Sequence, residues 1–159
     1  MKITVGVQAV IIQNDAILTI HKRDTDTLED SYILPGGKQE FGETLEQAIY
    51  REVFEEVGVA VDVGELLFLR EFIGSNHDNA QTNGSLHIIS PIFRCKFKDG
   101  DGTAIPASSP NPDPDQIGVA WIPLHELANF PFYPNSLIPQ LIEIANGTKP
   151  KRCYVGDVN

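Results

Sequence analysis

The stretch GGKQEFGETLEQAIYREVFEEVGV, residues 36–59, decides the fold of this chain. Its second half predicts a helix that begins after Thr44, because the threonine hydroxyl can cap the first turn while Gln47 reaches back in a capping box. The helix is expected to end at Gly58, since glycine adopts the left-handed turn at low cost. The preceding YILPGG, residues 32–37, predicts a short strand and a glycine turn.

The predicted helix has an apolar side and an acidic side. At about 100° per residue, the apolar side consists of Ile49, Tyr50, Val53 and Val57, and the acidic side of Glu52, Glu55 and Glu56. Glu52 and Glu56 are like charges at i, i+4, which repel each other on a helix surface. A local rule broken without a local gain indicates a functional site, and carboxylate oxygens suit Mg²⁺ or Mn²⁺. The alternative is a solvated acidic face.

Seven residues of this stretch follow a fixed pattern: a glycine, five residues, a glutamate, seven residues, and then REVFEEVGV. The defining positions are Gly37, Glu43, Arg51, Glu52, Glu55, Glu56 and Gly58. This pattern resembles the Nudix box, the signature of hydrolases that cleave nucleoside diphosphates linked to another moiety. The resemblance implies an α/β protein, a Nudix-type α/β/α sandwich with a mixed sheet, which also agrees with two well-separated helices among strands.

The resemblance also implies roles for particular residues. The expected ligands of Mg²⁺ or Mn²⁺ are the Gly37 carbonyl and the carboxylates of Glu52, Glu55 and Glu56. Arg51, about 100° round the helix from Glu52, is not an expected ligand but can orient the carboxylates by charge-assisted hydrogen bonds, and Glu43 is expected to complete that support. Lys38 is expected to face the substrate phosphates.

The resemblance also places a basic residue near the phosphates, at the end of the strand predicted for Ala16–Ile20. Arg23 is the first candidate there and Lys22 the second, and a solvated strand end is the alternative. For the variable group of the substrate, Phe132 could offer a stacking face and Asn135 could hydrogen-bond a base edge. The alternative is that Phe130 and Phe132 pack the last helix against the sheet.

The general base is not fixed by the pattern. Several Nudix enzymes carry an acidic residue a few positions before a strand that contains a tryptophan. In this chain the tryptophan is Trp121, and Gln116 stands at the position of the acid. An amide cannot act as a base at neutral pH, so the role falls to Asp115, to Asp113 or to Glu52. We expect Asp115, with Glu52 as the main rival, and a solvated loop remains the alternative for the aspartates.

Composition sets broad limits on the protein. Its 159 residues, 42% of them hydrophobic, predict one domain over residues 1–159. A net charge of −10 argues against binding a nucleic-acid polymer. The sequence shows no charged leader and no apolar run long enough to cross a membrane, so we expect a soluble cytoplasmic protein. A small-molecule nucleotide substrate is expected, and a homodimer is left open.

Several other elements are predicted from local patterns. Ile3–Ile12 and Ala16–Ile20 predict a hairpin around Asn14 and Asp15, and Ser85–Lys98 predicts a strand with Pro91 as an edge or bulge marker. Residues 74–84 are expected to form an exposed loop. Residues 99–115 contain many glycines and prolines, and a structureless segment of that length is either functional or disordered.

These features predict a metal-dependent pyrophosphohydrolase in which water attacks a phosphorus of a diphosphate linkage. The substrate could be a nucleoside triphosphate, ADP-ribose or a related nucleotide. One alternative is a non-catalytic Nudix-like nucleotide-binding or sensor module, although such modules commonly lack box glutamates. Another is a prenyl diphosphate isomerase, for which Cys95 would be the only conceivable catalytic cysteine.

Overall fold

A computed structural model describes residues 2–77, 83–100 and 103–159, in which ten strands form two sheets and two α-helices flank them. The strands are β1 Ile3–Val10, β2 Ile12–Gln13, β3 Ala16–Arg23, β4 Asp30–Ile33, β5 Gly36–Lys38, β6 Val61–Ile73, β7 His87–Phe97, β8 Gln116–Pro123, β9 Phe132–Tyr133 and β10 Tyr154–Asp157. The helices are α1 Leu45–Val57 and α2 Ile138–Ala145. Short 3₁₀ helices lie at Gly74–Asn76, Leu124–Asn129 and Asn135–Leu137.

Both sheets mix parallel and antiparallel pairs. The first has the order β10-β6-β7-β1-β5, with β1 parallel to β7 and antiparallel to β5. In the second, β3 pairs with β2, β4 and β8, and β9 lies parallel to β4. Together with α1 and α2, these sheets confirm the predicted α/β fold with mixed pairing.

Two hydrophobic cores form on the two faces of the first sheet, because successive side chains of a strand point to opposite sides. In β1, Val7 and Ala9 enter the core beneath α1, whereas Val10 enters the core that α2 covers. The first core contains Ile49, Val53 and Val57 of α1. The second contains Phe68, Phe132, Leu137, Leu141 and Ile144.

Helix α1 has the ends that the sequence predicts. The Gln47 backbone N–H donates to the Thr44 hydroxyl over 3.2 Å, and the Gln47 side chain accepts from the Thr44 N–H over 2.8 Å. Gly58 has φ 78° and ends the helix. Tyr50, expected on the apolar side, is 44% exposed, because it lies at the edge of the buried stripe.

The predicted first hairpin is correct at its turn and wrong in its strands. Asn14 and Asp15 have positive φ angles of 50° and 59°, as a tight hairpin turn requires. However, only Ile12–Gln13 pairs with β3, whereas Ile3–Val10 lies in the other sheet between β7 and β5. The alternation of side chains continues through Ile11, so the sequence pattern does not show that the chain changes sheets there.

Pro91 does not mark a sheet edge, because β7 pairs with β6 on one side and β1 on the other. The pairing with β1 runs over Ile3–Val5 and again over Gln8–Val10, and the interruption falls opposite Pro91, which has no N–H to donate. In the predicted loop at 74–84, residues 78–82 lie outside the described part of the chain. Neither α-helix in the described residues has the length and apolar character needed to span a membrane.

Candidate active site

The glycine strand β5 lies directly against the acidic face of α1. The Gly36 N–H donates to Glu56 Oε2 over 2.7 Å, which joins the strand to the helix. At Gly37, an added Cβ would come within 2.5 Å of the Glu52 carboxyl carbon. A side chain at position 37 would therefore displace the Glu52 carboxylate, whereas glycine leaves it against β5.

Arg51 hydrogen-bonds to three of the surrounding carboxylates. Its guanidinium binds Glu43 through two hydrogen bonds of 2.7 and 3.0 Å. It also donates to Glu52 over 2.8 Å, to Glu55 over 3.3 Å and to the Lys38 carbonyl over 3.0 Å. The hydrogen bonds from Arg51 lower the pKa of Glu43 to about 2. Glu43 is thus a fixed counter-ion, and Arg51 spans from β5 to the helix.

Glu56 differs from its neighbours because it is buried, with 2% of its surface exposed. Burial raises its pKa to about 8, although the hydrogen bond from Gly36 opposes the shift. Its second oxygen, Oε1, has no hydrogen-bond partner in the described residues. Burial also raises the pKa of Glu52, against the lowering effect of Arg51. The site therefore holds one carboxylate, Glu56, with an oxygen that the described residues leave without a partner.

Glu52, Glu55 and Glu56, which we call the box glutamates, do not have their carboxylates gathered around one point. Among residues 2–77, 83–100 and 103–159, no three His, Cys, Asp or Glu side chains are placed together as the ligands of one ion would be. Arg51 binds Glu52 and Glu55 on one side, whereas Glu56 turns toward Gly36.

The proline-rich segment before β8 packs on the C-terminal end of α1. The Asn111 N–H donates to the Glu55 carbonyl over 3.0 Å. The Ser109 hydroxyl and the Gln116 amide, the latter over 2.8 Å, both donate to the Glu56 carbonyl. These bonds satisfy carbonyls that a helix end leaves without a partner. The segment is therefore ordered by α1 and holds the turn that carries Glu55 and Glu56.

Gln116 helps to hold the end of α1, a structural role that was not predicted from the sequence. Its amide is a donor to the Glu56 carbonyl, which a carboxylate at the same position could not replace. The sequence contains a hint of a different role, because Gln116 stands where an acid was expected. It does not reveal the acceptor of the Gln116 amide, because Glu56 lies 60 residues away in the chain.

Of the two basic candidates at the strand end, Lys22 is the one whose charge acts on Glu56. Its ammonium group lies 2.7 Å from Asp113 and 3.0 Å from Asp115. Burial lowers its pKa, but hydrogen bonds and attraction to the two aspartates outweigh that effect and raise it. The positive charge of Lys22 also lowers the pKa of Glu56, while burial and the charge of Asp113 raise it.

Arg23, the first candidate from the sequence, is occupied elsewhere. It binds Asp30 of β4 through two hydrogen bonds of 2.7 and 3.0 Å. The two residues are directly paired across β3 and β4. Lys22 instead contacts Asp113 and Asp115, because alternate residues of a strand face opposite sides.

The predicted base-binding residues lie away from the box. Phe132 is 1% exposed and packs in the second core, so its ring offers no face for stacking. This is the packing role that the sequence left open. Asn135 is exposed and begins the 3₁₀ helix before α2.

One end of the site opens on a groove of about 880 Å³. Glu52 and Glu43 form one part of its wall, and the predicted phosphate-binding residue Lys38 lines it as well. Lys2 and Phe41 also line the groove, although neither was selected from the sequence. A groove with cations beside carboxylates suits an anionic ligand that arrives together with a metal ion.

Comparison with known proteins agrees with this architecture. A family profile described as NUDIX domain matches residues 2–141, and the chain belongs to that family. A solved NUDIX hydrolase from Nitrosomonas europaea has a TM-score of 0.71 at 24% identity, covering 94% of this chain and 93% of that one. At this identity, the likeness establishes the fold.

Two curated relatives match part of the chain. A MutT-like protein of Streptomyces ambofaciens is 35% identical over 98 residues, which is 61% of this chain and 54% of that protein. An ADP-ribose pyrophosphatase of Methanocaldococcus jannaschii is 41% identical over 89 residues, which is 56% of this chain and 48% of that protein. The matched segments thus span about half the length of these relatives.

Proposed function

We propose that this chain is a divalent-metal-dependent pyrophosphohydrolase that cleaves a diphosphate linkage in a nucleoside diphosphate derivative. The observation that carries the proposal is the buried Glu56 carboxylate, whose Oε1 has no partner in the described residues and whose pKa the charge of Glu52 helps burial to raise. A buried acid left in this state is costly unless a ligand satisfies it. A cation is the ligand that would do so.

The residues present fit Mg²⁺ or Mn²⁺. The donors are hard carboxylate oxygens, which these ions prefer. The absence of a side chain at Gly37 leaves the Glu52 carboxylate its place against β5. The residues that would hold the ion are Glu52, Glu55, Glu56 and the Gly37 carbonyl. When bound, such an ion activates the phosphoryl group and the attacking water.

Arg51 and Glu43 position the ligands. Arg51 fixes Glu52 and Glu55 by donating to both, and Glu43 fixes Arg51 through two parallel hydrogen bonds. Such paired bonds set direction as well as distance. The ligand carboxylates would therefore be oriented before the substrate arrives, which favours positioning and charge stabilisation in phosphoryl transfer.

The general base is proposed to be Asp113 rather than Asp115. Both aspartates bind Lys22, but it is the charge of Asp113 that adds to the effect of burial in raising the pKa of Glu52 and Glu56. Asp113 is therefore the loop carboxylate whose charge acts on both Glu52 and Glu56. Glu52 remains the rival, because its raised pKa also suits a proton acceptor.

Phosphate binding is proposed for Lys38 and Lys22, with Arg23 as a weaker candidate because Asp30 occupies its guanidinium. Asn135 stays a candidate for a base contact. The name of one relative, an ADP-ribose pyrophosphatase, makes ADP-ribose a first substrate to test. We also propose that residues 1–159 act as one domain, and a homodimer can be tested by light scattering.

A turnover screen tests the proposal. Nucleoside triphosphates, ADP-ribose, other nucleotide sugars and dinucleoside polyphosphates are incubated with the protein and Mg²⁺ or Mn²⁺, with Glu56→Gln as the matched control. Release of a nucleoside monophosphate by the wild type but not by the variant supports the proposal. If no substrate turns over with either metal, the enzyme proposal fails.

The other candidate functions have less support. All box glutamates are present, which disfavours a binding module without turnover. An isomerase would need a reactive cysteine, but Cys95 is buried and burial raises its pKa to about 12. A thiol in that state is not a nucleophile at neutral pH.

A further inference from the structure

The turn that joins β5 to α1 holds the Phe41 side chain entirely in solvent, with a relative exposure of 109%. The Glu43 N–H donates to the Glu40 carbonyl over 3.3 Å, and Gly42 between them has φ 91°. A glycine with positive φ in the third position is typical of a type II turn. Phe41 therefore occupies the second position of a four-residue turn, with no protein surface covering its ring.

This turn is fixed on both sides. The Gln39 N–H donates to the Val5 carbonyl over 3.0 Å, and the Gln39 side chain donates to the Glu43 carbonyl over 2.7 Å. The Glu40 N–H donates to the Glu43 carboxylate over 2.9 Å, and Arg51 binds the same carboxylate. The exposed ring is thus presented by a hydrogen-bonded turn that is tied to the box helix.

Phe41 is one of the residues that line the groove beside the box, and its ring is free to contact a ligand there. Lys2, Lys38 and Glu52 line the same groove, whose volume of about 880 Å³ lies in the range of small-molecule sites. One groove therefore combines an aromatic face, two ammonium groups and a predicted metal ligand. This combination matches a nucleotide, which has a flat base, phosphates and a need for a cation.

We propose that Phe41 is the stacking platform for the base of the nucleotide substrate, whose phosphates extend past Lys38 toward the box carboxylates. This proposal rests on the proposed function and names the substrate feature that the groove recognises. Stacking is tolerant of base identity, because every base has a π-face. The site is therefore expected to accept purines and pyrimidines alike and to discriminate against phosphates without a base.

Binding is tested without turnover, by fluorescence of Phe41→Trp. The wild type contains only Trp121, so it serves as the background. AMP and UMP are expected to quench the introduced indole, whereas ribose 5-phosphate, which lacks the base, leaves it unchanged. Equal responses to AMP and ribose 5-phosphate, or no response to AMP, would overturn the proposal.

Kinetics give the second readout, on whichever nucleotide the wild type hydrolyses. Phe41→Ala is expected to raise KM by roughly tenfold or more with kcat within about twofold, because stacking holds substrate and transition state equally. Phe41→Trp should restore KM. Phe54→Ala is the matched control, since Phe54 is a partly exposed phenylalanine of α1 that does not line the groove.

The two proposals fail in different ways. If the wild type hydrolyses nothing but AMP quenches the indole, the stacking site stands and the hydrolase proposal fails. If hydrolysis is normal and Phe41→Ala leaves KM unchanged, the stacking proposal fails alone. If light scattering finds the wild type to be a dimer and Phe41→Ala to be a monomer with AMP binding intact, the ring serves a protein contact instead, and the proposal is overturned.

Discussion

Two acidic clusters lie at opposite edges of the first sheet and differ in how their carboxylates are satisfied. At the β5 edge are the box glutamates Glu52, Glu55 and Glu56. At the β10 edge is a pair that we call the edge acids, Glu71 and Asp157. Only the first cluster contains a buried carboxylate oxygen without a partner among the described residues.

The edge acids are fully engaged by the protein. Asp157 accepts hydrogen bonds from the Ile73 N–H over 2.9 Å, from Asn76 over 2.7 Å and from His77 over 2.7 Å. Burial alone would raise the pKa of Asp157, but these hydrogen bonds lower it to about 2. Glu71 likewise meets Tyr154 at 2.9 Å. These acids fasten the last strand to the sheet.

The contrast separates structural acids from functional acids. Glu56 has one backbone donor and a pKa raised to about 8, whereas Asp157 has three donors and a lowered pKa. A carboxylate that the fold satisfies stabilises the fold, and one that the fold leaves unsatisfied awaits a ligand. His77, a lone loop histidine in the sequence, belongs to the structural group because it binds Asp157 and stacks on Phe72.

The largest expected effect distinguishes the two clusters directly. Glu56→Gln should lower turnover by about 10³-fold, since a metal ligand supplies several kcal/mol of transition-state stabilisation, while the protein stays folded. Asp157→Asn should lower the melting temperature and leave turnover within about twofold. Steady-state rates and thermal melts of both variants check this. Equal losses of activity would contradict the assignment of Glu56 as a functional acid and Asp157 as a structural one.

The next effect concerns the base in the loop. Asp113→Asn should lower turnover at saturating metal by about 10²-fold, because general-base catalysis contributes that much. Asp115→Asn, which removes the other partner of Lys22, is the matched control and should have a smaller effect. Near wild-type rates in both variants would indicate that the general base is Glu52 of α1 and not an aspartate of the loop.

Arg51 tests whether orientation of the box glutamates matters apart from their charge. Arg51→Lys keeps the positive charge but loses the paired hydrogen bonds to Glu43. Turnover should fall by about 10- to 100-fold, as for other residues that orient metal ligands, and Arg51→Ala should be lower still. Circular dichroism and metal titration provide the controls. Unfolding of either variant would show that Arg51 is structural.

The smallest expected effect is on stability as a function of pH in the EDTA-treated protein. The pKa of Glu56 is about 8 in the folded state against an ordinary 4.5, so the folded state retains a proton that the unfolded chain releases. The stabilisation is complete below about pH 4.5 and is lost as pH rises through about 8.

Asp157 has the opposite dependence. Its folded pKa of about 2 is below the ordinary 3.8, so its contribution is present above pH 3.8 and is lost as pH falls toward 2. For Glu56, thermal melts should show the wild type losing several degrees, at roughly 2–4 °C per kcal/mol, as pH rises from about 4.5 to about 8, with little further loss above pH 8. Glu56→Gln should flatten that part of the curve, and an unchanged slope would contradict the burial of an ionisable group there.

The family and the support of the box helix could be read from the sequence because their determinants are local. The capping box at Thr44, the turn at Gly58 and the pairing of Arg51 with the glutamates all involve residues close in the chain. A fixed spacing on a helix sets the direction of each side chain. The metal ligands and the general base are still predictions that rest on that spacing.

Tertiary structure decided the features that depend on distant partners. It separated β1 from β3, buried Phe132, and placed Lys22 rather than Arg23 near Glu56. It also joined Gln116 to the Glu56 carbonyl. Each of these outcomes is set by which strands pair and which faces pack, and a pattern of alternating residues is the same for either choice. Only the packed sheets determine which side chains reach the box.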